Sequence, residues 1–120
     1  MKAARYELSR YLPLREPTFY MLLSLSAGSK HGYAILKDIE ELSRGTVLLS
    51  TSTLYEGLAR LLDQGLIERV EQSDTDQGHP GRPRKDYRLS HLGALVLEAE
   101  TRRMQALVAA AQQRLGKQSG

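Results

Sequence analysis

The sequence predicts a mainly α-helical domain with one small β-hairpin, an α+β fold, and three features predict it. A polar start, Ser50-Thr51-Ser52-Thr53-Leu54-Tyr55, opens a short amphipathic helix. Gly65-Leu66-Ile67-Glu68-Arg69 then turns into a strand, and a loop rich in Gly, Pro and Asp returns through Gly81-Arg82-Pro83-Arg84-Lys85 to a second strand, Tyr87-Arg88-Leu89. After the hairpin, one helical pattern runs almost to the end of the chain. A short polar helix followed at once by a hairpin with a basic tip is how a winged helix-turn-helix meets a DNA duplex.

Residues 1–15 are weakly helical, an N-terminal helix or arm with Tyr6, Tyr11, Leu12 and Leu14 available to pack. A winged-helix unit is expected over residues 16–89. Its first helix runs from about Pro17, suited to a first turn where a missing N–H costs nothing, to Ala27, with Phe19, Leu22 and Leu23 on one face. Gly28 stops it. The second helix, about Gly32 to Arg44, sets Ile35, Leu36, Ile39 and Leu42 opposite Lys37, Asp38, Glu40 and Glu41. Thr46 to Leu49 reads as a short strand or extended turn. The third helix, about Ser52 to Gln64, carries the stripe Leu54, Leu58, Leu61 and Leu62 opposite Ser52, Thr53, Glu56, Ala59, Arg60 and Asp63. Leu66–Glu71 and Lys85–Leu89 alternate as strands do, and Ser90 is a good N-cap for the last helix.

That last helix, about His91 to Leu115, would be about 37 Å long at 1.5 Å per residue. Leu92, Leu95, Val96 and Ala99 mark one face. Leu97, Thr101, Met104, Val108, Ala111 and Leu115 repeat in fours and threes like a coiled-coil seam. So small a domain cannot bury both faces, so residues 90–116 are expected to pair with the same helix of a second copy. Residues 117–120 are expected to be a disordered tail.

Composition narrows the function. At 120 residues with 41% apolar content, the chain suits one folded domain. No run approaches the roughly 18 residues of a membrane span; Phe19 to Leu25 is the most apolar piece and contains Ser24. Zero cysteines exclude disulfides, thiolate nucleophiles and cysteine–zinc sites, which fits a cytoplasmic protein. The net charge of +3 says little, but its placement says more. Glu71, Asp74 and Asp76 precede the block Arg82, Arg84, Lys85 and Arg88, as expected of a loop whose tip faces phosphate.

Three groups of residues are candidates for DNA contact. Ser50, Thr51, Ser52 and Thr53 offer hydroxyls and helix N-terminal amides, Tyr55 reaches toward a phosphate or sugar, and Arg60 is a potential base reader. The bland alternative is an ordinary N-cap cluster on a core helix. Arg82, Arg84 and Lys85 sit on a proline-stiffened tip suited to a minor groove or flanking phosphates, or else form a solvated loop. Lys30, His31 and Tyr33 open the second helix as a phosphate site, unless Gly32 merely permits close packing there. Catalysis is not expected. The three histidines, at positions 31, 79 and 91, form no close pair, and Glu40-Glu41 and Glu98/Glu100 read as solvated faces. No metal or cofactor is expected.

Taken together, these residues resemble the PadR-like family of winged-helix transcriptional regulators. The matching pieces are Leu22-Leu23-Ser24-Leu25, His31-Gly32-Tyr33-Ala34-Ile35, Ser52-Thr53-Leu54-Tyr55 with Leu58 and Arg60-Leu61, Gly65-Leu66-Ile67, and Gly81 through Ser90, in order over Glu16 to about Gly93. The resemblance implies a homodimer formed through the C-terminal helix, a palindromic operator, and repression relieved by a small hydrophobic or aromatic effector. The single terminal helix looks like the family's shorter branch. Two departures stand out: Asp86 occupies a position where the family often has an aromatic, and the chain lacks the tryptophan with which some short members sandwich flat ligands. Candidates for the dimer interface or an effector pocket are therefore Tyr6, Tyr11, Leu97, Met104, Val108, Ala111 and Leu115. The expected partners are double-stranded DNA, a second copy and a small effector, with no membrane. The competing reading is a winged-helix dimer that senses ligands or binds proteins without touching DNA, since Glu56 and Asp63 share the outward face of the third helix.

Overall fold

The computed structural model describes residues 7–71 and 85–119. The sequence-based assignments to Tyr6, Arg82 and Arg84 lie outside the described residues. After a single 3-10 turn at Leu8–Tyr11, the chain forms α1 (Glu16–Ser26), β1 (Lys30–His31), α2 (Gly32–Leu42), α3 (Thr51–Asp63), β2 (Ile67–Glu71), β3 (Lys85–Leu89) and α4 (His91–Ser119). The three strands form one antiparallel sheet in the order β1-β3-β2. This is the α+β winged-helix architecture expected from the sequence, with a long C-terminal helix.

The core sits where the helices meet the sheet. Leu22 and Leu25 of α1, Ile35 and Ile39 of α2, Leu54, Leu58 and Leu61 of α3, Leu66, Ile67 and Tyr87 of the sheet, and Val96 and Leu97 of α4 are buried together. Full burial of one such side chain contributes about 1.5–3 kcal/mol. Residues α1 buries are Met21, Leu22, Ser24 and Leu25, so its inner face is rotated from the expected Phe19-Leu22-Leu23 stripe. The run Phe19–Leu25, apolar but for Ser24, gave that helix no sharp period to read.

Cap chemistry sets the boundaries. Ser50 caps α3, its hydroxyl accepting the Thr53 N–H at 3.1 Å. Gly65 ends that helix with φ +76°, and the Leu66 N–H returns to the Leu61 carbonyl at 3.0 Å. Ser90 then joins two helices: its hydroxyl donates to the Gly65 carbonyl at 2.6 Å and accepts the Gly93 N–H at 2.9 Å. Gly93 must be a glycine, because a Cβ there would overlap the Leu66 carbonyl oxygen.

Some details depart from expectation. Lys30–His31 pairs with β3 as a third strand, Lys30 opposite Tyr87 and His31 opposite Asp86. Thr46–Leu49 forms a bend and irregular chain and does not join the sheet. Residues 7–15 form an arm with one 3-10 turn rather than a helix, and it packs Leu8, Tyr11, Leu12 and Leu14 on the core. The arm is pinned by Glu100, which is only 1% exposed and accepts the Leu14 N–H at 2.9 Å and the Arg103 guanidinium at 2.6 and 3.0 Å. Glu100 is therefore not part of a solvated face, because the arm and Arg103 close over it. The helix α4 continues to Ser119, through most of the expected tail. None of the described helices is long and apolar enough to cross a membrane.

Candidate nucleic-acid interface

Helix α3 buries Leu54, Leu58 and Leu61 and leaves Ser52, Thr53, Glu56, Ala59, Arg60 and Asp63 exposed. The period of the apolar stripe fixes this split: three anchors on one side place the polar residues together on the other. Within the hydroxyl cluster, Ser50 is already engaged, accepting the Thr53 N–H and lying 2.9 Å from Thr53 Oγ1 and 3.3 Å from Ser52 Oγ. The first helical amides, those of Thr51 and Ser52, precede the first intrahelical acceptor and point out of the helix start. Hydroxyls and N-terminal amides are thus presented along one edge, a chemistry that suits phosphate.

Tyr55, 44% exposed, turns out to join two helices. Its hydroxyl lies directly on the Cα of Gly32, so closely that a Cβ on Gly32 would overlap it. Gly32 thus permits close packing, while Tyr33 beside it fills no gap and stands exposed. Tyr55 also sits near Tyr87, where burial pushes the Tyr87 hydroxyl above its usual 10.0, with Arg69 acting the other way and Tyr55 adding to the rise.

The start of α2 divides its residues between two roles. Lys30 is turned inward, its ammonium donating to the Ser24 carbonyl at 2.6 Å and lying 3.8 Å from Asp38, which itself accepts from the Ser24 hydroxyl at 2.7 Å. This network ties α1, β1 and α2 together. His31 caps α2, Nδ1 accepting the Ala34 N–H at 3.3 Å, which leaves the other ring nitrogen as the N–H donor. Tyr33 stands 62% exposed, with its ring 6.5 Å from that of His31 and nearly parallel to it. Lys37, exposed on the polar face of α2, holds its ammonium 5.9 Å from the Tyr33 ring centroid. Nothing at the sequence level marks that pair beyond its four-residue helical spacing.

In the hairpin, Ile67–Glu71 pairs with Lys85–Leu89 in unbroken register. Lys85 is exposed at the start of β3, facing Glu71, and Arg88 pairs with Glu68 at 2.9 Å. Asp86 lies in the middle strand, buried between His31 and Val70. The departure at this position thus leaves strand pairing intact.

A model of the PadR-like family of transcriptional regulators matches residues 21–99, more than half of the chain. The chain belongs to that family. Its likeness to solved PadR-like structures extends further. A PadR family transcriptional regulator from Eggerthella lenta is 30% identical over 96% of both chains, with a TM-score of 0.60. One from Clostridium difficile is 23% identical, with 82% of this chain and 96% of that one aligned at a TM-score of 0.67. Bacillus subtilis PadR in complex with operator DNA is 24% identical, over 71% of this chain and 46% of that one, at a TM-score of 0.59. The latter two likenesses show the fold alone. No curated protein matches the sequence. Members of this PadR-like family are transcription regulators rather than enzymes.

The residues expected at the dimer or effector site separate in the structure. Leu97 is buried in the protein's own core. Tyr11, in the arm, is half-buried against the core, and Met104 is half-buried. Val108, Ala111 and Leu115 are exposed, Val108 at 53% and Leu115 at 64%, as is Leu107.

Proposed function

We propose that this transcriptional regulator is a homodimeric repressor that binds a palindromic operator directly and is released by a small hydrophobic or aromatic effector. The single observation that carries DNA binding is the exposed polar edge of α3, held outward by Leu54, Leu58 and Leu61. Ser52, Thr53 and the Thr51 and Ser52 amides position the groove, Arg60 reads bases, and Ser50 serves mainly as the cap. Arg82, Arg84 and Lys85 hold the flanking backbone or minor groove. The complex of Bacillus subtilis PadR with operator DNA supports this reading. Dimerisation is supported by Leu107, Val108 and Leu115, an apolar stripe exposed on α4. An effector would be met by Met104 and Val108 at that seam. Two recognition helices would then enter successive major grooves about 10 base pairs apart.

Selection from a random duplex pool at about 150 mM salt tests this. The expected result is an enriched inverted repeat with half-sites about one helical turn apart. The second reading is a winged-helix module that binds a protein or ligand but no DNA, and the exposed acids Glu56 and Asp63 on α3 favour it. Failure to retain any duplex even at low salt would overturn direct DNA binding and favour that reading instead.

A further inference from the structure

We infer that Lys37 is a DNA phosphate contact, oriented by the Tyr33 ring and acting from the exposed face of α2. The proposal rests on the DNA-binding reading and adds a residue to it. The two lysines at this end of α2 differ in what surrounds them. Lys30 is neutralised internally by Asp38 and spends its N–H groups on backbone carbonyls. Lys37 is exposed and makes no ion pair among the described residues; its partner is an aromatic face. A carboxylate would orient an ammonium and cancel its charge, whereas a ring orients it and leaves the charge and its N–H groups directed outward.

The surroundings fit a phosphodiester. Tyr33, Lys37 and His31 line an open cleft of about 370 Å³ on the protein surface. Because His31 Nδ1 is occupied as the cap, its Nε2–H is the free donor, and the Tyr33 hydroxyl supplies another. Two acids also border the cleft. Asp38 is engaged by Ser24 and Lys30, and Glu41 lies one turn beyond Lys37 in the weaker order for a helical ion pair. The first helix of a helix-turn-helix crosses the DNA backbone. Here that helix is fastened to the recognition helix by Tyr55 resting on Gly32, the residue next to Tyr33.

The test is fluorescence anisotropy of a labelled random-sequence duplex and of a selected operator duplex over a range of salt. Lys37→Gln is expected to weaken both alike and to lower the slope of log affinity against log salt by about 0.9 per bound chain. Between about 50 and 200 mM salt, that makes the variant's loss of affinity about 3.5-fold smaller per bound chain. Lys37→Arg and Tyr33→Phe are expected to keep the wild-type slope, and Tyr33→Ala to lose affinity. Unchanged melting of Lys37→Gln would confirm that the loss is one of contact. An unchanged slope in Lys37→Gln, with wild type binding normally, overturns the assignment and leaves the regulator reading intact. Wild-type affinity in Tyr33→Ala overturns the orienting role of the ring. Absence of wild-type binding to either duplex overturns DNA binding itself, and this contact with it.

Discussion

At Gly93 the backbone of α4 passes so close to the Leu66 carbonyl that a single methyl group has no room. The obstructing atom belongs to the backbone, so it cannot swing aside. Gly93→Ala is therefore expected to cost about 1–3 kcal/mol, read as a lower urea midpoint with unchanged m-value. Gly32→Ala meets a side chain, Tyr55, that can rotate away. It is expected to spare most stability while disturbing the setting of α3, so affinity for DNA should fall more than the melting temperature. Glu100 gives a pH prediction. The hydrogen bond from Arg103 holds its carboxyl below the usual 4.5, helped by the Leu14 N–H and opposed by burial. A group lowered in this way stabilises the fold above about pH 4.5, and its contribution disappears as pH falls through the depressed folded value. Wild type should thus lose stability below about pH 4.5 more steeply than Glu100→Gln, as followed by thermal melting between pH 6 and about 3. The cap at Ser90 was legible in the sequence because cap and helix are neighbours, whereas Ser50 stood out only as one of a cluster of four hydroxyl residues. Glu100 was not, since its partner Leu14 lies 86 positions away and a Glu among Arg residues reads as surface. The ring beside Lys37 was hidden for a similar reason, because a lysine on a polar face shows its ring partner only once the rotamers are placed.

Elements were legible where their period was sharp. Helix α3 has three buried leucines at spacings of four and three, and both its buried and exposed faces were expected. Leu58→Ala removes the central anchor, and a cost of about 2–5 kcal/mol is expected, with loss of helical circular dichroism on mild heating. The hairpin announced itself by alternation and by Gly and Pro at its turn. In contrast, β1 is only two residues long and has no period to detect. It exists because β3 offers an open edge beside the start of α2. The 3-10 turn and extended arm at residues 7–15 were equally hidden, since what orders them is contact with α4 and the core rather than local propensity.

The whole molecule is longer than its size requires. Its radius of gyration of 17.2 Å exceeds the about 14 Å expected of a compact chain this long. The 29 residues of α4 account for this, extending about 43 Å while only their first turns pack on the sheet. Leu107, Val108 and Leu115 lie on the part beyond. In the proposed dimer, replacing Leu107 and Val108 together by Glu is expected to give folded monomers in sedimentation velocity and to abolish operator binding while keeping the winged-helix melting transition. The expectation of a partner came from two apolar stripes on one helix; of the second stripe only Leu97 is buried in the core, while Val108, Ala111 and Leu115 are exposed. The length of α4 also makes it a ruler. If two such helices seat against each other, a slip of one heptad shifts the two DNA-reading heads by about 10 Å, or up to three base pairs. The gap between operator half-sites would then be written in the choice of seam residues at positions 104–115, so a family of such chains could retune its spacing without altering one residue that touches DNA.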